Sequence, residues 1–277
     1  MRTAAANAEL ALLLEVSSTP KPGNVDRHRE YPDLRFEQFV AGAVGTRCGF
    51  ELAADGEPIG VAFERAIEGM SQQRGGNTQF GATLLVTPLV AAARNGTLTP
   101  DGATDVVEST TVDDAVSFYR AFDHVDVAVD EPPEGMDGLD VRRGSDAESA
   151  LRDRHLTLAD VMERSAERDG VAREWVGGFP RTFETAEAIA EGSGPVTDRA
   201  ASVFLALLAA EPDPFVVTQH DREAAVEVRD RAQAVLDGTE SVEELGADLV
   251  EREINPGTTA DIVAGGLFVA LERGLEV

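Results

Sequence analysis

The sequence contains very little cysteine and histidine, and each shortage excludes a class of site. Its 277 residues include one cysteine, Cys48, and four histidines. A single thiol excludes an internal disulfide framework and any metal site made of several thiolates, and four histidines argue against a His-rich zinc site. No run approaches the roughly 18–20 apolar residues of a membrane-spanning helix, and residues 1–20 lack the basic segment and cleavage site of a signal peptide. We therefore expect a cytoplasmic protein.

Basic residues are also scarce. There are 24 Lys and Arg against 51 Asp and Glu, which gives a formal charge of −27. Hydrophobic residues make up 43% of the chain, enough for a core, so the acidity does not indicate disorder. A field this negative repels nucleic acid and anionic lipid, and we exclude both as partners. Because the Debye length falls to about 3 Å at 1 M salt, the charge predicts a halophilic protein from a salt-rich cytoplasm.

Lysine occurs once, as Lys21, while the other 23 basic residues are arginine. This lysine lies in the segment Thr-Pro-Lys-Pro-Gly, residues 19–23. A compact ammonium is a point charge suited to phosphate, and a planar guanidinium does not replace it well. Survival by chance on a solvated loop is the alternative. We favour a functional lysine.

Helical periodicity dominates the chain. Leu10, Leu13 and Leu14 share a helix face, as do Phe63, Ile67 and Met70, whereas strand patterns are short and weak. The pattern predicts an all-α, multi-helix globular bundle. Residues 200–210 are apolar all round, which predicts a fully buried central helix.

The length is compatible with a single domain over residues 1–277. The longest aperiodic stretch, 130–147, predicts either a lobe boundary or a mobile flap over a site. Nothing in the sequence indicates the oligomeric state.

Three polar loops each lead into a helix. The first, around Lys21, mixes cations with Asp26 and Asp33, which predicts a site for an anion with a divalent cation beside it; a self-paired, solvated charge cluster is the alternative. The second is Arg-Gly-Gly-Asn-Thr (74–78), where glycines let the backbone approach a ligand at a helix N-terminus. The third is Asn-Pro-Gly-Thr-Thr-Ala-Asp (255–261). Plain helix capping is the alternative for both of these. Gly265 and Gly266 follow inside the last helix and predict close packing against another element.

These segments resemble the triphosphoribosyl-dephospho-CoA synthase family. The likeness rests on Glu-Val-Ser-Ser-Thr-Pro-Lys-Pro-Gly-Asn-Val-Asp (15–26), Gly-Asn-Thr (76–78) and the third loop, in the family's order and near its spacing. The resemblance implies an all-helical, ATP-dependent transferase of coenzyme biosynthesis. It would join the ribose C1′ of ATP to the ribose 2′-hydroxyl of dephospho-CoA, release adenine and keep the triphosphate, giving 2′-(5″-triphosphoribosyl)-3′-dephospho-CoA.

The resemblance also suggests roles for particular residues. We expect Mg²⁺ beside the triphosphate, bridged by Asp26 or Asp33. A carboxylate at Glu15, Glu64 or Glu68 would stabilise an oxocarbenium-like transition state, and Asp33 or Asp261 would act as general base. The resulting assignment has Asp33, Glu64 and Asp261 as catalytic; Glu15, Asp26 and Glu68 as metal ligands; and Lys21, Gly23, Asn24, Arg27, Gly76, Asn77, Thr78, Asn255 and Gly257 as ATP-binding.

The sequence departs from the family at several positions. After Asn-Thr the family typically has His-Lys-Gly, but this chain has Gln79, Phe80 and Gly81, so two basic groups are lost. These departures leave the features expected to bind the triphosphate unchanged. They alter residues expected to contact the acceptor or the base, so the identity of the acceptor is less certain than the use of ATP. A related ribosyl transferase with a different acceptor, or a non-catalytic nucleotide-binding module, therefore remain alternatives.

Overall fold

The computed structural model describes residues 2–129, 132 and 137–277. These residues form fifteen α-helices and three 3₁₀ segments, with no strand among them beyond two isolated bridges, so the all-α prediction is confirmed. No described helix is long and apolar enough to cross a bilayer. The helices are α1 (Ala4–Ser17), α2 (Phe36–Asp55), α3 (Ile59–Met70), α4 (Phe80–Arg94), α5 (Pro100–Glu108), α6 (Val112–Arg120), α7 (Glu148–Asp153), α8 (Leu158–Ser165), α9 (Gly170–Gly177), α10 (Pro180–Glu191), α11 (Val196–Ala210), α12 (Pro214–Gln219), α13 (Arg222–Leu236), α14 (Val242–Glu251) and α15 (Gly257–Glu272).

A buried central helix is present, but it is α15. Between Thr258 and Leu271 every residue of α15 is buried except Asp261. The segment 200–210 lies in α11, which buries one face around Phe204 and Leu208 and exposes Ala206. The predicted position was wrong because small apolar residues on the outer face of a helix look the same in sequence as buried ones.

Two glycines let α15 pack closely against its neighbours. A Cβ on Gly265 would overlap the side chain of Leu85 in α4, and a Cβ on Gly266 would overlap Thr185 in α10. The predicted close packing at these glycines is therefore confirmed. Nearer the N-terminal ends of the two helices, Asp261 of α15 lies against Gly81 of α4.

Helix α4 contains a proline in its buried interior. Pro88 has no N–H, so the carbonyl of Leu84 loses its helical partner four residues later. The indole Nε1 of Trp175, in α9, donates to that carbonyl at 3.2 Å, and Trp175 is fully buried. This bond joins α9 to α4 close to the end that faces the functional site.

The stretch 130–147 lies only partly within the described residues, since 130, 131 and 133–136 fall outside them. Its described part forms two 3₁₀ segments, Asp137–Leu139 and Val141–Ala147, of which the second packs against α6. The Tyr119 hydroxyl donates to the Leu139 carbonyl at 2.7 Å, so this part is anchored to α6. A single domain, with a flap or lobe boundary here, stays a prediction.

Candidate functional site

A cavity of about 800 Å³ opens where the three polar loops meet. Segments far apart in the chain contribute to it, including the end of α1, the loop before α4 and the start of α15. Of the fifteen residues predicted to act, nine line it: Glu15, Asn24, Asp33, Gly76, Asn77, Thr78, Asn255, Gly257 and Asp261.

The N-terminal parts of three helices line this cavity. Gly81 and Ala82 of α4, Val171 of α9, and Thr258 and Asp261 of α15 all line it. A helix N-terminus carries about +0.5 elementary charge and orphan amides. The helix backbones thus supply positive potential to the cavity of a chain that has one lysine and a net charge of −27.

Acidic and amide side chains already cap these helix ends. Asp169 accepts from the Ala172 amide at 2.7 Å at the start of α9. In α15, Asp213 accepts from the Thr259 amide at 2.8 Å and from the Thr259 hydroxyl at 2.7 Å. Asn77 accepts from the Phe80 amide of α4 at 3.0 Å. Asn77 thus supplies the capping predicted for the second loop, whereas α15 is capped by Asp213 from outside the third loop and not by a Thr258–Asp261 capping box. Ligand approach at these helix ends stays a prediction.

Asp261 is the carboxylate most perturbed by this arrangement. It is the one residue in the central part of α15 that is not fully buried, because its side chain faces the cavity against Gly81. Burial, followed by the charges of Glu15, Asp213 and Asp169, raises the pKa of Asp261 well above its ordinary value, and the Ala82 amide only partly opposes this. A carboxylate with a raised pKa is a stronger base than an ordinary one.

Lys21 does not occupy an accessible loop, contrary to the expectation from sequence. It is fully buried, forms an ion pair with Glu15 and donates to Asn24 Oδ1 at 2.8 Å. Asn24 Nδ2 in turn donates to Asn255 Oδ1 at 2.9 Å, which joins the first loop to the third. Glu15, Asn24 and Asn255 line the cavity, whereas the Lys21 ammonium lies behind them. The pKa of Glu15 is raised by burial, with Lys21 acting in the opposite direction.

Asp26 organises the first loop from within. It is buried and accepts from the hydroxyl of Thr19 at 2.9 Å and from the amides of His28 and Arg29 at 2.8 and 2.9 Å. Arg27 is exposed. Gly23 has φ of +76° and packs so closely on the Ile254 carbonyl that a Cβ would lie 2.5 Å from it. None of Asp26, Arg27 or Gly23 lines the cavity, so their predicted contact with ATP or metal does not match the geometry.

Glu64 and Glu68 lie on α3, away from the cavity lining. Glu68 pairs with Arg65 at 2.5 Å on the surface. The resemblance to the family suggests these two residues, but it does not show which face of α3 meets the core. Among the described residues no three His, Cys, Asp or Glu side chains come together to hold a metal ion. The predicted metal set of Glu15, Asp26 and Glu68 is therefore not assembled.

Several residues that sequence reasoning missed also line the cavity. Arg74, Arg164 and Arg168 contribute cationic side chains near its mouth. Arg74 directly precedes the two glycines of the second loop, so the sequence itself could have indicated it as a ligand-binding residue. Arg164 and Arg168, at and just after the end of α8, follow no motif that separates them from other surface arginines.

The other end of the cavity is apolar and aromatic. Phe80, Phe118 and Phe122 line it with their rings in contact, the Phe80–Phe122 centroids 4.8 Å apart and the Phe118–Phe122 centroids 5.4 Å apart. Thr78 and Gln79 also line the cavity, and their Oγ1 and Oε1 atoms are buried without a hydrogen-bond partner among the described residues. The cavity lining thus combines charged side chains with an aromatic surface.

Comparison with known proteins identifies the family. The model of the CitG family, described as ATP:dephospho-CoA triphosphoribosyl transferase, matches residues 1–276. A 2-(5″-triphosphoribosyl)-3′-dephosphocoenzyme-A synthase from Pectobacterium atrosepticum is 28% identical over 280 residues, covering 92% of this chain and 84% of that protein. The crystal structure of a candidate triphosphoribosyl-dephospho-CoA synthase from Archaeoglobus fulgidus superposes with a TM-score of 0.69 at 26% identity, covering 87% of this chain and 100% of the other.

Proposed function

The chain belongs to the ATP:dephospho-CoA triphosphoribosyl transferase family, and we propose that the cavity at the N-terminal ends of α4, α9 and α15 is where it carries out this transfer. The enzyme joins C1′ of the ATP ribose to the ribose 2′-hydroxyl of dephospho-CoA and releases adenine. The observation that supports the location is the convergence of all three polar loops on one cavity.

Asp261 is the group we assign to proton removal from the acceptor hydroxyl. Its carboxylate faces the cavity, and its raised pKa makes it an effective proton acceptor. In the step, the C1′–N9 bond breaks, the C1′–O2′ bond forms, the hydroxyl proton goes to Asp261, and adenine leaves with a proton that replaces its bond to C1′. Asp261 can pass the proton it has taken from the hydroxyl to the departing adenine, so no other reactant is required.

Glu15 is the carboxylate we assign to the positive charge that develops at C1′. It lines the same end of the cavity, and the pair with buried Lys21 holds it in place. A fixed negative group beside an oxocarbenium-like transition state stabilises it without reorganisation. In this proposal Lys21 is a positioning residue that acts through Glu15, and Asn24 and Asn255 connect it to the third loop.

The triphosphate would extend from this acidic end towards the arginines at the mouth. Backbone amides near Gly76 and Gly257 and the side chains of Arg74, Arg164 and Arg168 are the groups that favour phosphate there. The described residues hold no cluster of three metal-ligating side chains. In this proposal Mg²⁺ enters with the substrate as MgATP, and one or two cavity carboxylates would suffice to hold it beside the phosphates.

The test is adenine release, measured by chromatography in buffers of molar KCl. Wild-type protein should release adenine with ATP and dephospho-CoA together and little with ATP alone. Asp261→Asn and Glu15→Gln should lower the rate by about 10²-fold or more, while Glu64→Gln, a matched change outside the cavity, should not. Release that needs a different acceptor, or ATP binding without any release, would contradict the proposal.

A further inference from the structure

A second cleft adjoins the cavity on the opposite side of α12. Its volume is about 470 Å³, and Arg168 and Pro214 line both spaces. Phe215, Thr218 and Gln219 of α12 face the cavity, while Val217 faces the cleft. Arg168 and Pro214 therefore lie at the boundary between the two spaces.

The cleft is positive in a chain that is strongly negative. Three arginines, Arg168, Arg173 and Arg222, line it against two glutamates, Glu167 and Glu211, a local charge of +1 where the whole chain carries −27. Glu211 is already engaged, because it pairs with Arg181 and lies 3.7 Å from Arg173. The cleft thus favours an anion.

Arg222 occupies an electrostatically unfavourable position for a cation. It is the first residue of α13, where the positive end of the helix dipole disfavours a cation. It is exposed, and its side chain makes no hydrogen bond or ion pair with any described residue. A cation in an electrostatically unfavourable position beside two other arginines is consistent with selection for binding rather than for stability.

We propose that this cleft is a phosphate subsite that holds the terminal phosphates of ATP during the transfer. The inference rests on the proposed function, in which the triphosphate is moved intact and must extend away from C1′. Close to Asp261 it would face Glu15 and Asp169, whereas past Arg168 it meets cations. The terminal phosphate of ATP carries no further group, so it can end inside a cleft of this kind. The pyrophosphate of dephospho-CoA is substituted on both ends, and the cleft would also have to accommodate one of its substituents.

Kinetics of Arg222→Gln test the subsite, with Arg229→Gln as matched control. Arg229 lies on the same helix and pairs with Asp230 at 2.6 Å, outside both spaces. Arg222→Gln should raise the KM for ATP at least tenfold, the effect of one charge-assisted hydrogen bond, with kcat and the KM for dephospho-CoA within twofold. Arg173→Gln should act in the same direction, and Arg229→Gln should change neither KM.

Inorganic tripolyphosphate gives a direct probe by calorimetry at constant ionic strength. It should bind the wild-type chain, compete with ATP and bind Arg222→Gln at least tenfold more weakly. Equal binding with unchanged KM values would overturn the subsite, and a selective rise in the KM for dephospho-CoA would overturn its assignment to ATP. If the wild-type chain released no adenine with any acceptor but bound tripolyphosphate through Arg222, the proposed function would fail and the phosphate subsite would stand.

Discussion

The role proposed for Asp261 would be in conflict with the stability of the fold. Burial disfavours its ionised form, and the neighbouring charges of Glu15, Asp213 and Asp169 add to that effect. For such a group the favourable contribution to folding is present below its ordinary pKa and is lost as the pH rises through the raised pKa. The ionised carboxylate that the proposed role requires is therefore unfavourable for folding.

The variant Asp261→Asn should separate these two roles. We expect adenine release to fall by about 10²–10⁴-fold while the melting temperature at pH 8 rises by a few degrees, since about 1 kcal/mol shifts it by 2–4 °C at this size. The stability gain should disappear below about pH 4, where the wild-type carboxyl is protonated in both folded and unfolded chains. Wild-type activity should decline on acidification well above pH 4. Equal stability of the two proteins at pH 8 would contradict this account.

The buried pair of Lys21 and Glu15 allows a second prediction at the same scale. Lys21→Met leaves Glu15 buried without its partner, which should cost about 3–5 kcal/mol of unfolding free energy. Adding Glu15→Gln removes the unpaired charge and should restore much of that stability, but not adenine release. Urea unfolding and the adenine assay on both single variants and the double variant measure this. Recovery of activity in the double variant would exclude Glu15 as the group that stabilises C1′.

At the scale of elements, the junction of α4 and α9 depends on a substitute for a missing helical hydrogen bond. Pro88 cannot donate to Leu84, and Trp175 does so instead. Trp175→Phe should therefore leave a buried carbonyl unsatisfied, at a cost of about 1–3 kcal/mol in addition to the loss of packing.

A double-mutant cycle isolates that hydrogen bond. In a Pro88→Ala background, the new amide at position 88 can donate to Leu84 within the helix, so Trp175→Phe should cost about 1–3 kcal/mol less there. The packing loss is common to both backgrounds and cancels. Additive effects in urea unfolding would mean that Trp175 stabilises α4 by packing alone.

The polar loops could be predicted from sequence because their residue types serve both backbone geometry and ligand chemistry. Proline, glycine and capping residues marked the loops, and the structure brings parts of all three to one cavity. The burial of Lys21 could not be predicted, because its partner Glu15 lies in the preceding helix and only the fold turns them towards each other. For the same reason Glu64 and Glu68 could not be separated from Glu15: periodicity gives the face of a helix but not what that face meets.

At the scale of the whole molecule, two electrostatic effects oppose each other. Salt weakens the surface ion pairs, such as those that join α13 to α14 through Arg231 and Asp248, and Arg252 and Glu227. Each exposed pair contributes about 0–1 kcal/mol at most. Salt also screens the repulsion among excess carboxylates, which acts over the entire surface of a chain with net charge −27. The second effect should be the larger, because the arginines are too few to pair with the acidic residues.

We therefore expect the melting temperature to rise steadily as KCl increases from about 0.1 M to about 3 M, as the Debye length falls from about 10 Å to below 3 Å. Differential scanning calorimetry measures this, and sucrose at matched osmolality is the control, because it stabilises by exclusion from the surface without screening charge. A rise with KCl beyond that with sucrose supports the halophilic interpretation. An unchanged or lower melting temperature in KCl would mean that the ion pairs outweigh the repulsion, and that the acidity serves solubility rather than adaptation to salt.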